Sequence, residues 1–161
     1  MRWPCEVMPF SNGEFDFVWS WGVIHHSSRT AAIVRQIARV LNSGGESRVM
    51  VYNRDGTCAW RALIKYQLLR LGAFRGRSSD EALNRNTDGF HARHYTKDQF
   101  EDLFRAFFGN VSSRVCGQVS DALPLPRRIR RPIERFFSER WLMQKQSIRG
   151  SFIFLTASQP N

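Results

Sequence analysis

Two adjacent histidines, His25 and His26, close the most distinctive stretch of this sequence, FDFVWSWGVIHH at residues 15–26. Imidazole changes charge near neutral pH, so either ring is suited to take up, release or orient a proton at a reacting atom. Tyr52, Asn53 and Arg54 end a second apolar run and could line a pocket for a reacting molecule. His91, His94 and Tyr95 form a further polar and aromatic group. The His91 and His94 spacing resembles that of metal ligands, but no third ligand follows at a suitable interval, so no metal is expected.

Elements must bring these groups together. Phe15, Phe17, Val18 and Trp19 form an apolar run that predicts a strand buried on both faces, ending in Ser20, Gly22 and the histidines. In open α/β sheets the carboxyl edge of such strands is where ligands bind. Ser27 or Ser28 offers an N-cap hydroxyl for a helix whose Ile33, Ile37, Val40 and Leu41 share one face. Asn42-Ser43-Gly44-Gly45 should stop it with a left-handed glycine, and RVMVY at 48–52 should form the next strand. Trp60, Ile64, Leu68 and Leu71 repeat at helical intervals, and residues 76–89 are polar and glycine-bearing, so 56–90 is expected to be a helical and loop insert. Thr96 and Gln99 have capping-box spacing before the stripe Phe100, Leu103, Phe104, Phe107 and Phe108. Val111, Ser113 and Val115 alternate as a half-buried strand, and the wholly apolar residues 152–155 predict a buried central one.

The string MPF-SNGE-FDFVWSWGVIHH, followed by IARVLNSGGESRVMVYNR, resembles the middle of a class I S-adenosylmethionine-dependent methyltransferase of the type 11 group. That family's wording is L-P-F, a turn, F-D-x-V, G-V-L-H-H, a helix closing on R-V-L-K-P-G-G, and a strand; here Asn42-Ser43 replaces Lys-Pro. The resemblance is close over residues 8–54 and looser beyond. It implies an α/β fold holding strands four to seven of a Rossmann-like methyltransferase sheet, the last strand antiparallel between parallel neighbours, with flanking helices over a single domain, 1–161. It also implies S-adenosyl-L-methionine as cofactor and methyl transfer to a small-molecule acceptor. On the matching positions, His26 and His25 are the catalytic candidates. Ser20, Trp21 and Gly22 are the cofactor contacts. Tyr52, Asn53, Arg54, His94 and Tyr95 are the acceptor-binding candidates. The family's adenine-binding Asp falls on Pro4, which cannot accept that hydrogen bond, leaving the neighbouring Cys5 and Glu6 as candidates.

No G-x-G-x-x-G occurs in the 161 residues, although the family's first strand ends in a glycine-rich loop. The chain is therefore expected to begin after the third strand, to be N-terminally truncated, and to bind the cofactor weakly or not at all on its own. The first strand would then be a bare apolar sheet edge, open to self-association or to cover by the N-terminal residues.

Composition sets the outer bounds. An apolar fraction of 42% and an aromatic fraction of 13% fit a globular fold. Cys5, Cys58 and Cys116 are odd in number and far apart, which points to reduced thiols and a cytoplasmic setting, and no apolar run is long enough for a signal peptide or membrane span. The net charge of +10 owes much to Arg127, Arg128, Arg130, Arg131 and Arg135 within a basic, proline-bearing insert at 118–149. Such a cluster attracts phosphate-rich partners, RNA or anionic lipid. A non-catalytic methyltransferase-like module binding RNA or a protein through this insert is thus the alternative function, and a solvated insert is the plainer reading of the charge.

Overall fold

The protein is described here by a computed structural model over residues 4–65, 83 and 92–161. In chain order the elements are β1 (Phe15–Trp21), a 3-10 turn (Ile24–His26), α1 (Thr30–Val40), β2 (Leu41–Asn53), α2 (Thr57–Leu63), β3 (His94–Tyr95) and α3 (Lys97–Arg105). β4 (Phe108–Cys116), α4 (Val119–Ala122), α5 (Arg127–Glu134), α6 (Glu139–Arg149) and β5 (Phe152–Pro160) follow.

The sheet runs β1-β2-β5-β4, with β3 added beside the end of β2. β1 and β2 are parallel, and β5 lies antiparallel to both β2 and β4. The expected antiparallel last strand between parallel neighbours is therefore present. Strand alternation divides the side chains between two faces. One face carries Val18, Val49, Val51, Ile153, Leu155 and Ala157 against Ile33, Val34 and Ile37 of α1 and Phe100 and Phe104 of α3.

The opposite face departs from expectation. β1 is not buried on both sides: Trp19 is 52% and Trp21 51% exposed, and Phe17 lies beside them. β5 likewise alternates, with Ile153 and Leu155 buried while Phe152 and Phe154 are only partly covered. An apolar run says that a strand is sticky on both sides but not whether anything covers the second. On this face Trp19 and Trp21 stack at 5.4 Å, each about 6 Å from Phe154. Arg48 lies over Phe17 and Arg114 over Phe154.

Several boundaries also move. α1 starts at Thr30 without a side-chain cap, because residues 24–26 form their own turn and Ser27 is engaged elsewhere. It ends on extended Leu41, and Gly44 and Gly45 lie within the irregular start of β2 rather than in a left-handed cap. The capping box on α3 forms as its spacing predicts, with Thr96 Oγ1 accepting from the Gln99 amide and the Gln99 side chain accepting from the Thr96 amide. That helix stops at Arg105, and Phe108 opens β4 instead of extending the apolar stripe. Leu68, Leu71, residues 76–82 and 84–89, and His91 lie outside the described residues.

Candidate active site

At the carboxyl ends of β1, β2 and β3, three segments distant in sequence meet. Gly22 makes the first turn: its φ of +69° is open to glycine at little cost, and its amide donates to the Met50 carbonyl at 3.2 Å. The chain then enters the 3-10 turn bearing both histidines. The Arg93 amide donates to the His25 carbonyl at 2.8 Å, and the Arg54 amide to the Tyr95 carbonyl at 2.8 Å. These two bonds tie residues 92–95 to both other segments.

The rings form a continuous cluster. His25 lies 4.3 Å from His26 and 4.4 Å from Tyr52, centroid to centroid, and Tyr52 stacks on His94 at 5.3 Å. Tyr52 is also 6.0 Å from Phe152, which joins the cluster to the aromatic face of the sheet. His25 is fully buried, yet neither Nδ1 nor Nε2 has a hydrogen-bond partner. Burial, reinforced by the neighbouring His26 and His94, drives its pKa down to about 3, so the ring stays neutral at ordinary pH. A neutral imidazole still offers one N–H donor and one acceptor nitrogen. His26 is exposed at the rim.

The remaining candidates separate by surroundings. Glu6 comes to this end of the sheet: its carboxylate accepts from Ser27 Oγ at 2.5 Å, and that bond foremost holds its pKa below the usual carboxylate value. Cys5 instead packs against the core, and Ser20 lies on the helix-covered side of β1, opposite Trp21. The Asn53 side chain is committed to backbone, donating to the Gly150 carbonyl at 2.7 Å and accepting from the Asp55 amide at 3.1 Å. The Tyr95 hydroxyl donates to Thr30 Oγ1 at 2.9 Å. Arg54 and His94 are half-buried at the edge.

Asp121 escaped notice in the sequence, although Gln118 and Asp121 have capping-box spacing. It is buried, and its carboxylate accepts from Ser151 Oγ at 2.6 Å, the Gln118 amide at 2.9 Å and the Ser151 amide at 3.2 Å. Its carbonyl accepts from Thr57 Oγ1 at 2.8 Å, so one residue joins the starts of α2, α4 and β5 behind the site. Gly150 must be glycine here, since a Cβ would come within 2.2 Å of the Cys116 carbonyl oxygen. A cleft lined by Arg105, Asn110, Thr156, Ser158 and Asn161 lies at the opposite end of the sheet and holds none of the candidate residues. Among the described residues no group of histidine, cysteine and carboxylate side chains could hold a metal ion.

Comparison with known proteins gives the setting. Residues 2–49 match the methyltransferase domain family known as Methyltransf_11. No curated protein matches the chain. A SAM-dependent methyltransferase of Thermotoga maritima, described as a possible histamine N-methyltransferase, superposes with a TM-score of 0.60 at 15% identity, over 99% of this chain and 62% of its own. The phospholethanolamine N-methyltransferase 2 of Haemonchus contortus, solved with phosphomonomethylethanolamine and S-adenosylhomocysteine, gives 0.56 at 16% identity, over 98% of this chain and 36% of its own. A SAM-dependent methyltransferase of Archaeoglobus fulgidus gives 0.52 at 10% identity, over 94% of this chain and 62% of its own. The chain thus spans less than two thirds of these proteins' lengths, and at such identities the likeness is one of fold. It carries a methyltransferase-family segment at residues 2–49, set in a sheet with the fold of class I S-adenosylmethionine-dependent methyltransferases.

Proposed function

We propose that this chain forms the acceptor side of an S-adenosyl-L-methionine-dependent methyltransferase acting on a small molecule. The observation that carries the reading is the convergence of residues 22–27, 52–54 and 92–95 on a buried histidine whose ring nitrogens lack partners. An unpaired buried nitrogen is costly unless a ligand group completes it.

The edge suits a sulfonium reagent in part. Trp21 and Tyr52 supply ring faces that attract a cation, and Glu6 supplies an ionised carboxylate. Gly22 leaves the strand end free of a side chain, while Cys5 and Ser20 act as supports from the core side. When bound, S-adenosyl-L-methionine supplies a methyl group already activated on sulfur, so the protein's main task is alignment. His25 orients the acceptor through one ring nitrogen. With a pKa of about 3 it is too weak a base to remove a proton near neutrality. His26, on the rim, takes the proton that the acceptor loses and passes it to solvent. Tyr52, Arg54 and His94 wall the acceptor, and Asn53 and Tyr95 hold that wall in place. Residues 118–149 are an insert on a single domain, as are the described residues 56–65.

The glycine-rich motif is absent from these 161 residues, so this chain alone should bind the cofactor weakly or not at all. Titration calorimetry with S-adenosylhomocysteine checks this, and micromolar binding would refute it. Activity is tested in a chimera carrying residues 4–161 in place of the matching part of the Thermotoga maritima protein. There His26→Gln should lower kcat by about 10²–10⁴ with binding of S-adenosylhomocysteine unchanged; an unaltered kcat would remove His26 from the chemistry. Among the described residues no strand pairs with the outer edge of β1, and its open backbone groups favour pairing with a second copy of this chain.

A further inference from the structure

α5 and α6 bury no residue between them. Helices of this length are normally held in water by packing an apolar face, not by their own hydrogen bonds. Here several apolar side chains stay in solvent, with Phe136 74%, Met143 65%, Ile148 60% and Ile129 51% exposed, while Ile133, Phe137, Trp141 and Leu142 are partly covered. Between residues 124 and 138 the only acid is Glu134, 3.9 Å from Arg130. Arg127, Arg128, Arg131 and Arg135 pair with no carboxylate among the described residues. The excursion is nonetheless firmly based, because Asp121 before it and Ser151 after it are bonded together at the carboxyl edge of the sheet.

We propose that residues 124–149 form a docking surface for an anionic lipid bilayer. Arg127, Arg128 and Arg131 would engage lipid phosphates, while Ile129 and Phe136 enter the boundary of the acyl chains. Guanidinium groups and exposed apolar side chains on one small surface have opposed needs in water, and the interface of a negatively charged membrane meets both. No helix among the described residues is long and apolar enough to cross a bilayer, so the contact is with its surface.

Two other occupants fit less well. RNA binding without base pairing relies on bare ring faces for stacking. Here Phe137 and Trp141 stack on one another at 4.5 Å, Lys145 covers Trp141, and Arg135 lies 5.0 Å over Phe136. A second copy of this chain would bring one arginine cluster against another. The inference does not depend on methyl transfer, and its test needs no cofactor.

The whole chain is sedimented with sucrose-loaded vesicles of phosphatidylcholine alone, or of phosphatidylcholine with phosphatidylglycerol. Binding to the anionic vesicles and not to the neutral ones is expected. Arg127→Gln, Arg128→Gln and Arg131→Gln together should lower the partition coefficient on the order of 100-fold, about fivefold for each charge. Ile129→Ser with Phe136→Ser keeps the charge and should lower it about tenfold. Circular dichroism checks that each variant is folded. Failure to prefer anionic vesicles overturns the proposal, and so does unchanged binding by the apolar variant. Binding of single-stranded RNA that the arginine variant loses and the apolar variant keeps would assign the surface to nucleic acid instead.

Discussion

His25 binds a proton far less readily in the fold than in the unfolded chain, and the difference has a definite sign. The unfolded ring titrates near 6.5 and the buried one near 3, so between these values the unfolded state holds more protons. Stability from this group is complete above pH 6.5 and lost as pH falls toward 3, by up to about 1.4 kcal/mol per unit. His25→Phe keeps a ring and removes both unpaired nitrogens, so stability at pH 7 should stay within about 1 kcal/mol while the acid dependence flattens. Urea unfolding across this range measures both, and an unchanged slope would mean that the ring is not buried as described. The Asp121 carboxylate, unlike the His25 ring, has both oxygens held in hydrogen bonds. Asp121→Ala should cost about 3 kcal/mol, seen as a lower urea midpoint with an unchanged m-value. The two histidines could be picked from the sequence by their chemistry and resemblance. Asp121 could not, because its partner Ser151 is thirty residues away and only the fold makes the pair.

Element boundaries were legible where a side chain competes for a specific backbone group, as Thr96 and Gln99 do at the start of α3. They were not legible where two apolar patterns abut: Phe107 and Phe108 continue a helical stripe by spacing, yet Phe108 pairs with Pro160 across β5. β1 shows the same ambiguity in another form. Its composition predicts burial, and the uncovered second face of the sheet leaves Phe17, Trp19 and Trp21 in solvent. Residues 4–11 form no strand beside β1: the Met8 and Phe10 carbonyls accept from Arg39 of α1, and Phe10 touches β1 only at its start, edge-on to Phe15. Concentration-dependent self-association should therefore appear in light scattering. Phe17→Lys with Trp19→Lys should abolish it by placing charge along the edge. A parent chain that stays monomeric at every soluble concentration would show that this edge needs no partner.

At the scale of the whole molecule, the resemblance over residues 8–54 carried the fold well beyond its own length. The strand order of a parallel sheet with one reversed strand is set by how helices and strands can pack, and β5 falls where that order requires. What the sequence left open is which side of the sheet is covered, because coverage depends on surfaces outside the strand itself. The reversed strand has one more consequence. Among the described residues β4 is hydrogen-bonded to the sheet only through β5, so residues 108–116 have no described strand to join until residues 152–160 have been synthesised. During translation the chain must therefore carry an unattached strand and a strongly cationic stretch past the ribosome before its sheet can close. Its folding is paced by a contact made late, and the half-built form is the state most in need of a chaperone.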